Sequence, residues 1–159
     1  MSIATDTAKV QYTLSSTVQA LPVPFYFLEN AHIKAVRSRS GAADYVMVLG
    51  TDYSLTGAGD EDGGTLTTIA TNLQVGDKVT IKRNVAITQE VNYVYNDKFP
   101  AEVHEKALDK LTMVAQQHEE AIGRAIRFPE SEPSASVSEL PLAASRAAKV
   151  LGFDAAGAL

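Results

Sequence analysis

The chain carries three imidazoles, His32, His104 and His118, and no two of them have the spacing of a metal-binding pair such as HxxxH or HExxH. A catalytic metal therefore has little support. Serine is plentiful, but no Gly-x-Ser-x-Gly elbow occurs that would expose one as a nucleophile. The stretch Gly57-Ala-Gly-Asp-Glu-Asp-Gly-Gly64 begins like a loop that cradles phosphate. Its sixth position is Asp62 where a dinucleotide loop needs glycine, no helix follows, and its carboxylates would repel a phosphate. Asp60, Glu61 and Asp62 could gather a calcium ion, yet they are contiguous and lack the alternate-residue spacing of an EF-hand loop. A solvated hairpin loop is the better expectation. Tyr53, Tyr93 and Tyr95 could stack on sugar rings, although their places on alternating segments favour core packing. The residue chemistry thus leads us to expect no catalytic residue, no cofactor and no metal.

Charge narrows the partners. With 19 acidic and 14 basic side chains the formal charge is -5, and no basic cluster is denser than Lys82-Arg83 or the Arg37/Arg39 pair. A surface that follows a phosphate backbone needs more concentrated positive charge, so nucleic acid is not expected as a partner. Cysteine is absent, which removes disulfides and thiolate metal sites. The N-terminus lacks a basic stretch followed by an apolar one, and no apolar run reaches the ~18 residues of a membrane span. A soluble chain without a signal peptide or a membrane partner is expected.

Apolar residues make up 45% of the 159-residue chain and charged residues 21%, enough for one modest core. From Lys9 to Tyr95 short alternating segments are bounded by Gly, Asp, Asn or Pro, which predicts an antiparallel β domain over residues 1–96. Val10, Tyr12 and Leu14 mark one strand; Val23, Phe25 and Phe27 mark another, with Pro24 implying an edge or an irregular start. Asp44-Tyr-Val-Met-Val-Leu49 is almost continuously apolar and predicts a strand covered on both faces at the centre of the core. Thr65–Ala70, Lys78–Arg83 and Val85–Tyr95 complete the set.

The period then changes. Pro100 suits a first helical position and Glu102 places negative charge in the first turn, so a helix is predicted from Pro100 to Arg127 within an oligomerisation segment, residues 97–128. Ala101, His104, Leu108, Leu111, Ala115, His118, Ile122 and Ala125 alternate three and four residues apart, the spacing of a coiled-coil seam. Val103, Ala107, Val114 and Ala121 form a second apolar stripe, which would let the helix pack on its own β domain and on partner helices together. Residues 129–139 are polar and carry prolines, as linkers do. Residues 140–159 form a C-terminal arm in which Leu140, Leu142, Val150, Leu151 and Phe153 are the candidates for docking a further component. The fold class is α+β: an antiparallel, sandwich-like β domain, one long helix in a trimeric bundle, and an extended arm.

Several stretches, in this order, carry a resemblance. They are Val23-Pro-Phe-Tyr-Phe27, Gly50-Thr-Asp-Tyr-Ser-Leu-Thr-Gly-Ala-Gly59, Gly63-Gly-Thr-Leu66, Gly76-Asp-Lys-Val-Thr-Ile-Lys-Arg83, Thr88-Gln-Glu90, Phe99–Met113 and Arg146–Asp154. Together they resemble the N-terminal virion-attachment domain of tail fibres from short-tailed phages. The resemblance implies a non-catalytic virion protein: a β domain held at the tail and a helix that gathers identical chains into a homotrimer. The implied partners are tail, nozzle or portal-proximal proteins on one side and a fibre shaft or separate receptor-binding protein on the other. Such fibres continue into a shaft and tip, whereas this sequence stops at Leu159, which leads us to expect a short adaptor, with a truncated fibre as the alternative. Two other classes remain in view: a carbohydrate-binding or depolymerase-associated module acting on host glycans, and a head–tail connector ring.

Overall fold

Strand β7 (Lys78–Arg83) shows most directly how the sequence builds the fold, because it runs down the middle of a four-stranded sheet. Val79 and Ile81 point inward and are fully buried, while Lys78, Thr80 and Lys82 point out. β7 pairs antiparallel with β1 (Lys9–Thr13) on one side and β3 (Ile33–Ser38) on the other, and β4 (Tyr45–Val46) closes the edge beyond β3. A second, three-stranded antiparallel sheet has the order β2 (Ala20–Val23), β6 (Gly64–Thr68), β5 (Tyr53–Thr56). The inner faces of the two sheets meet in one apolar cluster that includes Leu21, Val23, Ile33, Ala35, Leu55, Leu66, Val79 and Ile81. Leu14, Phe25 and Phe27 fill it from the connecting segments; each buried phenylalanine contributes roughly 2–3 kcal/mol by transfer from water.

The computed structural model describes residue 3 and residues 5–89, 91–92 and 100–125. The chain divides into two units, Met1–Gly123 and Arg124–Leu159, and all the strands and helices among the described residues lie in the first. Helix α1 spans Ala101–Gly123. It begins at Ala101, one residue after the predicted Pro100, and ends at glycine, a poor helix former, before the predicted Arg127. Two antiparallel sheets and one long helix make the described fold α+β.

Three strand expectations change. β2 stops at Val23, so Phe25 and Phe27 enter the core from irregular backbone, and the edge position of β2 accommodates Pro22 and Pro24. The apolar run Asp44–Leu49 is not a central strand. It is a two-residue edge, β4, with Met47 buried and Val46, Val48 and Leu49 exposed. Asp52 is the reason: its carboxylate accepts the Val48 N–H at 2.8 Å and the Tyr45 hydroxyl at 2.9 Å, and its own N–H donates to the Val48 carbonyl. The backbone therefore turns where a longer strand would continue. No strand forms among the described residues of Val85–Tyr95; there Val85 bonds to the side chain of Gln117 on α1.

Candidate functional site

The inward phase of β7 ends on Arg83, which is 2% exposed at the end of the sandwich interior. Its guanidinium donates to the Tyr26 carbonyl at 2.8 Å and to Oε1 of Gln116 on α1, and stands 5.7 Å from the Phe25 ring centroid. Burial pulls its pKa below the ordinary arginine value. Gln117 then replaces a strand partner. Its Oε1 accepts the Val85 N–H at 2.7 Å and its Nε2 donates to the Val85 carbonyl at 3.2 Å. Gln116 Nε2 donates to the Thr5 carbonyl at 2.9 Å, and Lys9 Nζ meets Glu120 at 2.9 Å. Met113 is fully buried against Tyr26 and Val85, with Ile3, Leu28 and Val114 around them. One face of α1 is thereby clamped to the β domain by an apolar plug ringed with hydrogen bonds.

At 3.6 residues per turn the predicted seam falls on the opposite side of α1 from Met113, Gln116 and Glu120. Leu108, Leu111 and Ile122 are 51%, 66% and 49% exposed. Ala115, His118 and Ala125 are also exposed, and His104 is half-buried. The clamp thus leaves this apolar face uncovered by the protein's own β domain. The second stripe faces the β domain only in part, Val114 packing on the Met113 cluster. Val103, Ala107 and Val114 line a groove of about 980 Å³ whose other wall includes Tyr26, Leu28 and Ile87, and Ala121 is exposed. Packing on the β domain is centred instead on Met113. Polar Gln116 and Gln117 carry part of that contact through hydrogen bonds, which a pattern of apolar residues does not register. The available signal was an arginine in the inward phase of a strand and a glutamine pair just after a methionine.

Asp109 stands in the wall of the groove and is 5% exposed. Burial raises the pKa of its carboxyl, and burial followed by the Asp109 charge raises that of the Tyr26 hydroxyl. The predicted acidic loop joins β5 to β6, and Asp60, Glu61 and Asp62 are exposed. Asp60 Oδ1 accepts the Asp62 N–H at 3.0 Å, and the Gly59 N–H donates to the Phe27 carbonyl at 2.8 Å. A side chain at Gly63 would overlap the Val23 carbonyl, so this loop needs glycine to close against the sandwich. Among the described residues no three His, Cys, Asp or Glu side chains gather to hold a metal, and no helix is long and apolar enough to cross a membrane. Tyr53 is a core residue whose hydroxyl donates to the Ile33 carbonyl at 3.2 Å, which removes it from any sugar-stacking surface. Tyr93 and Tyr95 lie outside the described residues, as do the arm positions Leu140, Leu142, Val150, Leu151 and Phe153.

No family model matches the chain. Over 131 residues, 81% of its length, it is 31% identical to the tail spike protein of Salmonella phage epsilon15. It resembles part of a phage tail spike. The chain spans 12% of the length of that protein, so the likeness concerns one segment of a much longer polypeptide. The match supports the coarser sequence expectation, a phage tail protein, and it extends over both the β domain and the helix region because it covers most of the chain.

Proposed function

We propose that this chain is a structural, non-catalytic component of a phage tail that anchors a fibre or receptor-binding protein. In this reading the β domain docks on the tail, and α1 packs with the α1 helices of two further copies in a homotrimer. The C-terminal stretch containing Leu140, Leu142, Val150, Leu151 and Phe153 engages the next component. One observation carries the proposal: the clamp at Arg83, Met113, Gln116 and Gln117 holds α1 with Leu108 and Ile122 51% and 49% exposed and with Leu111, which also lines the groove, 66% exposed. Covering each of these side chains is worth up to roughly 1.5–3 kcal/mol. A contiguous apolar face on a rigidly held helix suits identical neighbours, each offering the same stripe. Similarity to a tail spike supports a place in the tail. Three linked β domains would turn weak individual contacts into a durable joint.

Mass measurement of the purified chain by light scattering or native mass spectrometry tests the assembly. A trimer is expected. A strict monomer at high protein concentration would exclude self-assembly of the isolated chain through α1, and twelvefold rings would favour the connector reading.

A further inference from the structure

The outer face of the four-stranded sheet brings together lysines that are far apart in sequence. Antiparallel pairing sets Lys9 opposite Lys82 and Lys82 opposite Lys34, so three ammonium groups form one row across β1, β7 and β3. Side chains directly opposite on neighbouring strands start about 5 Å apart, and like charges so placed repel. Lys78 adds a fourth cation on the same face of β7. None of β1, β3, β4 and β7 contains an acidic residue. Among the described residues a carboxylate meets the row at Lys9, where Glu120 of α1 approaches to 2.9 Å. Toward β4 the same face carries Val46, 53% exposed, and Val48 lies exposed two residues further along that edge.

We infer that this sheet face is a docking surface for an acidic protein segment bearing aliphatic side chains. Carboxylates would sit between the lysines and relieve their mutual repulsion, and the aliphatic groups would cover Val46 and Val48. Charge complementarity selects the occupant: the chain is net negative at -5, yet this face is positive. A row crossing three strands is about 10 Å wide, too short to follow many phosphates of a nucleic acid, and the exposed valines favour protein. The inference rests on the anchoring proposal for the partner's place in the virion, and it is independent of the trimer.

A fluorescein-labelled peptide of alternating glutamate and valine, titrated into the full chain at about 20 mM and about 150 mM salt, tests it. Saturable binding that weakens about tenfold at the higher salt is expected, with loss of about tenfold or more in Lys34→Glu/Lys82→Glu and little change in Lys106→Gln. Lys82→Glu alone should raise Tm, because it converts the row into two attractive pairs; this readout also shows that the variant folds. Absence of binding at low salt, equal binding by the double variant, or tighter binding of a DNA duplex of similar charge would overturn the inference. Virion incorporation separates the two proposals. A double variant that folds and still incorporates like the wild type sinks the docking face alone, whereas wild-type chain missing from virions sinks the anchoring reading.

Discussion

Arg83 illustrates what a single side chain does here. It sits where apolar residues would complete the inward phase of β7, and its guanidinium joins the Tyr26 backbone, the Phe25 ring and Gln116 of the helix. Arg83→Ala leaves a carbonyl and an amide oxygen without their donor and empties the space of the stem. A loss of about 3 kcal/mol in urea unfolding is expected, with roughly half recovered in Arg83→Met, which keeps the stem. Asp77 acts at the other end of the sandwich. Its carboxylate accepts from Arg39 Nε at 2.6 Å, from Arg39 Nη2 at 2.7 Å and from the Gln74 N–H at 2.8 Å. The Arg39 hydrogen bond, ahead of the other causes, holds its pKa below the ordinary 3.8. Because the folded state takes up this proton less readily than the unfolded chain, the stabilisation is complete above about pH 4 and fades as pH falls through the lower folded value. Asp77→Asn should therefore lower Tm at pH 7 and flatten the fall of Tm between about pH 4 and pH 2 in thermal scans.

Among the elements, α1 has two faces with different duties. Met113 is fully buried in the clamp, while Leu111, two residues earlier, is 66% exposed. Met113→Ala should cost about 3 kcal/mol and speed hydrogen exchange throughout α1, since the helix loses its apolar plug. Leu111→Ala should change the stability of an isolated chain by no more than about 0.5 kcal/mol. The start of this helix was legible in Pro100 and Glu102, and its exposed face in the three-four spacing that includes Leu108, Leu111 and Ile122. The buried face was not legible, because Gln116 and Gln117 look solvent-facing until the backbone groups of Thr5 and Val85 are brought to them. For the same reason Asp44–Leu49 reads as a core strand in sequence. The Asp52 carboxylate, which turns that segment at the sheet edge, lies beyond the run it interrupts.

For the whole molecule, the trimer proposal links folding to concentration. If α1 packs against its copies, Tm should rise with protein concentration, because association adds to the stability of the folded chain. Leu111→Asp should yield a monomer whose Tm is independent of concentration, since a carboxylate is strongly disfavoured in an apolar seam. Sedimentation and melting curves over a hundredfold dilution, about two decades, measure both. A mutant that stays trimeric would place the contact on another face.

Local sequence by itself determined that β7 alternates inward and outward, that Pro24 marks an edge or an irregular stretch, that the Gly57–Gly64 stretch is a loop between strands, and that a helix starts within one residue of Pro100. Each follows from interactions within a few residues: backbone torsion, hydrophobic period or a missing N–H. Tertiary structure alone decided that Arg83 is buried, that Gln117 completes Val85, that the second helix stripe lines a groove, and that Lys9, Lys82 and Lys34 share a row. Those facts depend on which distant segments meet and in what register, and no short-range pattern encodes the meeting.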